Sequence, residues 1–214
     1  MTPPHGLKKP SGIDRHMKQA VEPLADEDIV RLIREYPLAW IVPHDPAVFP
    51  ALLPMLVECD GAGAPVSLLG HMPKNHPLVS AFKADGRGRF LFLGPHGYIS
   101  PELMSNKDWA PTWNYAAAQI DGDVKFEDTL IHEALETLVK HMEQGRAEPW
   151  TAAMLGERYS ALSARVVGFR VRISGMRARF KLGQDEGDGA FGEIVDGLSD
   201  PHLSSWMKRF RPSD

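Results

Sequence analysis

Aromatic and hydrogen-bonding side chains are concentrated in one stretch of the chain, between residues 94 and 115. This stretch is bounded by Gly and Pro and contains His96, Tyr98, Ser100, Trp113, Asn114 and Tyr115. Aromatic rings offer stacking area, whereas Asn and Ser orient a ligand through hydrogen bonds, so the mixture suits a planar ligand with polar edges. The alternative is a strand-turn-strand whose aromatic residues fill a core, and residue types alone leave both interpretations open.

Other catalytic and metal-binding motifs are missing from the sequence. It contains no Gly-x-Gly-x-x-Gly after a strand, no P-loop, no His-Glu-x-x-His and no Cys pair for zinc. His132 and His141 lie about two and a half turns apart on a predicted helix, so we expect them to be solvated rather than to bind metal. Cys59 has no evident activating cation, and Ser67 and Ser100 lack an assignable base. The sequence therefore predicts no metal site and assigns no catalytic residue.

Composition and charge limit the class of protein. Of 214 residues, 43% are hydrophobic and 24% charged, as in a soluble globular protein, and 19 Gly with 18 Pro favour many turns and a β-rich fold. The net charge of -4 argues against strong binding to a phosphate backbone. The single Cys cannot form an internal disulfide, and no apolar run is long enough for a signal peptide or a membrane span. We therefore expect a cytoplasmic protein without a membrane partner.

A local basic run departs from this acidic balance. Its members are Arg165, Arg170, Arg172, Arg177, Arg179 and Lys181. We interpret them as the solvated face of a strand pair, and the alternative is a patch that contacts DNA.

Hydrophobic periodicity and turn residues predict the elements that must position these side chains. A first helix has Asp26 as its N-cap and is ended by Pro37, with Ile29, Leu32 and Ile33 on its buried face. Strands are predicted over residues 38–42, 51–57, 65–69, 90–93, 112–126, 166–173 and 176–182. Further helices are predicted over residues 75–83, 127–144, 158–163, 191–198 and 202–210. A sheet with helices laid over it is an α+β protein.

The sequence also predicts two irregularities in the strands and an N-terminal arm. The strand over residues 112–126 is expected to break near Gly122, and Ser174 with Gly175 is expected to form a hairpin turn. Residues 1–22 are polar, Pro-rich and basic, which predicts a flexible N-terminal arm. The remaining residues, 23–214, are predicted to form a single domain with C-terminal helices.

Four blocks of sequence, over residues 70–77, 94–101, 111–115 and 181–184, follow one another in an order that resembles the PaiB family. This family is described as FMN-binding negative transcriptional regulators with a split β-barrel fold. The chain departs from the family pattern at Pro73, His76, Gly183 and Asp185. The resemblance implies an antiparallel six-stranded FMN-binding split barrel with peripheral helices, which forms a homodimer with the flavin at or near the subunit interface.

The first block contains the candidate residues for the FMN phosphate. A phosphate favours the backbone N–H groups of a helix start together with a cation. Lys74 lies just before the helix predicted from Asn75, and His71 and His76 flank it. The structural alternative for the two histidines is that one caps the helix and the other makes a hydrogen bond in the core.

The later blocks supply candidates for the flavin ring. Trp113, Asn114 and Tyr98 offer stacking and edge contacts, with Ser100 and Gln184 as further candidates. Because Tyr115 shares a strand face with Trp113, one of these two aromatic residues is expected to belong to the core.

These observations favour an FMN-binding protein with a flavin-dependent redox role, such as that of an FMN-dependent oxidoreductase, or a flavin-sensing role. One alternative is a transcriptional regulator that binds DNA or another protein. Another is a split barrel that binds haem or no ligand, because related split barrels differ in cofactor.

Overall fold

Six antiparallel strands form a closed barrel in the computed structural model, which describes residues 24–211. The strands are β1 (Leu38–Pro43), β2 (Ala51–Cys59), β3 (Pro65–Pro73), β4 (Arg87–Ile99), β5 (Thr112–Phe126) and β6 (Val166–Lys181). Around the barrel they follow the order β1, β2, β3, β6, β5, β4. Side chains alternate between the interior and the outside, as β5 illustrates, because Ala116, Ala118 and Ile120 are buried while the residues between them are partly exposed.

Six α-helices surround the barrel. They are α1 (Asp26–Glu35), α2 (Pro77–Ala84), α3 (Leu130–Met142), α4 (Arg158–Ser163), α5 (Asp188–Gly197) and α6 (Pro201–Arg209). Short 3-10 helices span Pro101–Leu103 and Ala152–Leu155. Apolar residues of α1, α2, α5 and α6, among them Leu32, Phe82, Ile194 and Trp206, join the barrel interior in one continuous core.

Helix α3 instead packs on the outside of the barrel. A second apolar cluster joins Leu130 and Ala134 of α3 to Leu56 of β2 and Leu69 of β3. Arg170 of β6 also ties this helix to the sheet, because its guanidinium lies 2.7 Å from a carboxylate oxygen of Glu58 on β2 and 2.8 Å from one of Glu133 on α3. The outward side chains of β1 and β4 remain exposed.

The barrel confirms the predicted α+β class and the six-stranded antiparallel split-barrel fold. Strand β5 and helix α4 have the predicted bounds. The irregularity expected near Gly122 is also present, as a register shift between Asp121 and Gly122 where β5 pairs with β6.

The hairpin predicted at Ser174 and Gly175 is wrong, because β6 runs unbroken from Val166 to Lys181. In its pairing with β5, Gly175 lies opposite Asp121 and Ile173 lies opposite Gly122, which leaves Ser174 without a partner. The two turn-forming residues therefore produce a β-bulge rather than a chain reversal.

Several element boundaries also differ from the prediction, and three of them bear on the site. The N-cap of α1 is Ala25, and Asp26 begins the helix. Helix α2 begins at Pro77 rather than near Asn75. Strand β4 continues through Gly94 to Ile99, because Gly94 and Pro95 lie in a register shift against β5 and do not end the strand.

The predicted arm of residues 1–22 lies outside the described residues, and the single domain over residues 23–214 stays a prediction. Within residues 24–211, no helix is long and apolar enough to cross a membrane.

Candidate functional site

The end of β3 carries a buried histidine that lacks a hydrogen-bond partner. His71 lies opposite Gly168 of β6, and the Nδ1 atom of its ring is buried without a partner among the described residues. Burial lowers the pKa of His71, because removal from water disfavours the charged imidazole. The ring is therefore expected to be neutral near pH 7, with one buried nitrogen that has no partner among the described residues. The core hydrogen bond considered as a structural alternative for this residue is not present at Nδ1.

The turn after β3 leads into the N-terminus of α2. His76 is the N-cap, and its Nδ1 accepts a hydrogen bond of 3.2 Å from the backbone N–H of Leu78, which confirms the capping alternative for one of the two histidines. The backbone N–H of Lys74 donates to the carbonyl of Arg165 at 3.0 Å, which ties the turn to the start of β6. The Lys74 ammonium is exposed and makes no hydrogen bond or ion pair with another described residue.

Two exposed aromatic residues form a pair on the outside of the barrel. Tyr98 of β4 and Trp113 of β5 are cross-strand partners, and their ring centroids lie 6.0 Å apart at 60°. Tyr98 is 50% exposed and Trp113 is 54% exposed, so neither ring fills the core. Lys181 of β6 lies beside them, where its Nζ donates to the Trp113 carbonyl at 3.0 Å and to the Thr112 hydroxyl. The pair offers a stacking surface with a cation at its side.

The other predicted ring contacts are separated from this pair. Asn114 is 3% exposed and faces the barrel interior, where its Nδ2 lies 3.6 Å from Sδ of Met207. Trp113 and Asn114 are neighbours on a strand, so their side chains point to opposite faces and cannot contact the same side of one ligand. Ser100 accepts a hydrogen bond of 3.2 Å from the backbone N–H of Glu102, at the start of the first 3-10 helix.

Gln184 is occupied by local contacts after the end of β6. Its Oε1 accepts from the backbone N–H of Leu182 at 2.7 Å, and its Nε2 donates to the carbonyl of Phe180 at 2.8 Å. The amide group therefore holds the chain where β6 ends. Ser100 and Gln184 both have a structural role that the residue types did not reveal.

The predicted phosphate group and the predicted ring group lie at opposite ends of β6. His71 is level with Gly168, whereas Tyr115, two residues after Trp113, is level with Lys181. Thirteen positions separate Gly168 from Lys181, which is roughly 40 Å of strand at about 3.3 Å per residue. The fold therefore brings His71, Lys74 and His76 together, and it brings Tyr98 and Trp113 together, but it does not join the two groups within one chain.

An exposed apolar face lies on the outside of β1, β2 and β4. Its members are Leu38, Trp40, Leu52, Leu91 and Leu93, and it is referred to below as the outer apolar face. Trp40 lies at its centre, paired with Leu52 on one side and Leu91 on the other, and is 46% exposed. Sequence analysis missed this face, although the unbroken apolar run at the start of β1 was a signal for it, since one-sided strands alternate.

Within residues 24–211, no group of three or more His, Cys, Asp or Glu side chains is arranged to hold a metal ion.

Comparison with known families identifies the cofactor of the chain. Residues 16–175 match the family described as "Putative FMN-binding domain", which covers most of the chain and includes β3, α2 and the aromatic pair. The chain belongs to this family of FMN-binding domains. FMN is therefore its cofactor.

Related proteins and solved structures agree with the fold. An uncharacterized protein of Emericella nidulans is 26% identical over 210 residues, which covers 78% of this chain and 84% of the relative. The flavocytochrome Anf3 from Azotobacter vinelandii is 15% identical with a TM-score of 0.52, covering 88% of this chain and 75% of that protein. The FAD and haem binding protein from Mycobacterium smegmatis is 17% identical with a TM-score of 0.51, covering 81% and 78%. At these identities, the two structures support the split-barrel fold alone.

Proposed function

We propose that this chain is a PaiB-like homodimer that binds FMN in a site shared by its two subunits and uses the flavin in a redox or sensing role. The buried, unpartnered Nδ1 of His71 carries this proposal. A buried polar atom without a partner is costly, and it is expected at a site where a ligand completes the hydrogen bonding. His71 belongs to the block that leads directly into the start of α2.

The turn between β3 and α2 fits the phosphate end of FMN. The exposed ammonium of Lys74 supplies a cation, and the N-terminus of α2 supplies a favourable dipole. Because the Nδ1 of His76 accepts from Leu78, its Nε2 carries the proton and is able to donate to a phosphate oxygen. FMN supplies the redox chemistry when bound, whereas these residues bind and orient it.

In the proposed dimer, one subunit binds the phosphate of a flavin and the other subunit contacts its ring. One flavin is much shorter than the stretch of β6 between the phosphate and ring groups, and this supports a site in which each group comes from a different subunit. A two-fold dimer presents each group twice, and the Tyr98 and Trp113 pair of the partner subunit is then available to the ring of a flavin whose phosphate lies at Lys74. Closed two-fold pairs are the commonest oligomers.

The outer apolar face supports the homodimer. Trp40, Leu52 and Leu91 form one row across three strands. An exposed apolar row of this kind is typical of a protein–protein interface. A second copy of the same face would bury these side chains in an interface core, where aromatic residues are enriched.

The test compares FMN with riboflavin, which lacks the phosphate. Lys74→Ala removes one charge-assisted contact of about 1.5–3 kcal/mol, so FMN affinity is expected to fall roughly tenfold to a hundredfold. Riboflavin should bind weakly to both proteins and be nearly indifferent to the change. Lys140→Ala, on the exposed side of α3, is the matched control and should leave FMN affinity unchanged.

Fluorescence-quenching titrations with both ligands measure these effects. Equal losses for FMN and riboflavin would place Lys74 away from the phosphate. An absorbance spectrum of protein purified without added cofactor would also distinguish the flavin from haem, because their bands differ.

A regulatory role is the second candidate function. It is supported by the outward basic side chains of β6, since Arg177, Arg179 and Lys181 follow one another on one face, beside the exposed Trp113. Cations next to an aromatic ring suit nucleic acid. The remaining members of the basic run weaken this case, because Arg170 and Arg172 are already paired with carboxylates.

A further inference from the structure

A charged cleft lies between the C-terminal end of α2 and the last residues of β5, away from the proposed flavin site. Its volume is about 580 Å³, within the usual range for sites that hold a small molecule. The polar lining consists of Lys83, Lys125, Arg172 and Asp123. The apolar lining includes Val124 and Phe126.

The charge of this cleft is opposite in sign to that of the chain. Three cations and one carboxylate line it, a surplus of two positive charges, whereas the whole chain carries a net charge of -4. Asp123 is already engaged, since its Oδ2 lies 3.1 Å from Nη2 of Arg172. The ammonium groups of Lys83 and Lys125 are exposed and make no ion pair or hydrogen bond with another residue of 24–211. Two lysines therefore face a shared space without an anion to neutralise them.

The fold holds these groups in place. Asp123 lies between Arg87 of β4 and Arg172 of β6 in the strand register; it pairs with Arg172, whereas Arg87 pairs with Asp85. The backbone N–H of Val124 donates to the carbonyl of Gly86 at 2.7 Å, which ties the chain after α2 to β5. The walls of the cleft are therefore joined by the sheet and by this hydrogen bond.

We propose that this cleft binds a small phosphorylated organic molecule. Phosphate groups are anionic near pH 7, opposite in sign to the surplus charge of the cleft. Lys83 and Lys125 contact its phosphate oxygens, and the remaining volume of the cleft receives the organic part. This site is separate from the flavin site, because the Lys74 turn precedes α2 whereas the cleft follows it.

ADP, pyrophosphate and adenosine are the probes, titrated by calorimetry into protein saturated with FMN so that the flavin phosphate site is filled. ADP and pyrophosphate are expected to bind, and adenosine to bind much more weakly. The double variant Lys83→Gln, Lys125→Gln should lower ADP affinity at least about tenfold, since it removes two charge-assisted contacts. The matched control Lys140→Gln should leave it unchanged.

A variant that should raise ADP affinity tests whether the losses in the other variants come from misfolding. Asp123→Asn removes the only carboxylate that lines the cleft and frees Arg172, so ADP affinity should rise. FMN affinity should stay the same in all of these variants. The proposal is overturned by ADP binding that ignores the double variant, by no ADP binding at millimolar concentration, or by a parallel loss of FMN that would assign the cleft to the flavin.

Discussion

Gly168 of β6 is the position where one added methyl group should cost the most. A Cβ atom there would lie 2.6 Å from the carbonyl carbon of Leu130 and 2.7 Å from the backbone N of Ile131, at the start of α3. Backbone atoms cannot rotate away as a flexible side chain does, so Gly168→Ala must push α3 off the sheet. Overpacking of this kind costs about 1–3 kcal/mol, and the upper half of that range is expected here.

Gly175→Ala is the matched control, because it makes the same change seven residues further along β6. A Cβ atom at Gly175 meets nothing within 4 Å, and its φ is not in the left-handed region. This variant should be neutral, or more stable by about 0.4–1 kcal/mol because the unfolded chain loses conformational freedom.

Thermal and urea unfolding, followed by circular dichroism, measure both variants. A loss of about 2–3 kcal/mol in a chain of this size corresponds to a fall in Tm of roughly 4–12 °C for Gly168→Ala. Equal midpoints for Gly168→Ala and the unmodified protein would refute the close approach of α3 to β6. A similar loss in Gly175→Ala would show that the strand resists any side chain, whatever its surroundings.

Three further predictions concern pH, assembly and nucleic acid. Burial lowers the pKa of the His71 imidazole below its ordinary value of 6.5. As the pH falls, the unfolded chain therefore protonates this imidazole before the folded chain does, and the free energy of unfolding should decline below about pH 6.5. His71→Gln should flatten that decline in urea titrations between pH 5 and 7, whereas the exposed His202→Gln should not. Trp40→Glu places a charge at the centre of the outer apolar face and should yield only a 23.7 kDa monomer in sedimentation equilibrium. The control Met142→Glu, on α3, should leave a dimer. A monomeric unmodified protein would contradict the proposed dimer. Binding to DNA through Arg177, Arg179 and Lys181 should be weak, with a slope of log affinity against log salt concentration of about -3. Nanomolar, sequence-selective binding at physiological salt in a gel-shift assay would instead favour the transcriptional regulator.

Much of the fold could be predicted from the sequence because its strands follow simple patterns. Strand β5 alternates between buried and more exposed positions from Asn114 to Val124, and both of its ends lie where the sequence predicted them. Strand β6 was divided because Ser174 and Gly175 resemble a turn, and only pairing with β5 shows that they form a bulge. A bulge depends on two strands at once, and turn chemistry within one segment cannot reveal it.

The candidate site was harder to predict because residue types do not show which groups are already satisfied. Gln184 and Ser100 carry the right atoms for a ligand, but local backbone groups occupy them. The separation of Trp113 from Asn114 follows from the period of a strand and could have been deduced from their adjacency. The buried Nδ1 of His71, which has no partner among the described residues, depends on the packing of distant segments, and no local pattern contains that information.

The position of β6 determines when the protein can become a barrel during synthesis. It lies between β3 and β5, and its partner residues on β3 precede it by about a hundred positions, as with Ser67 and Arg172. Until the ribosome has released this segment, the five earlier strands form an open sheet with two unpaired edges. Those edges can bind other nascent chains, so slow translation between α3 and β6 should favour aggregation and chaperone capture. The last strand to be made is the one that removes both edges.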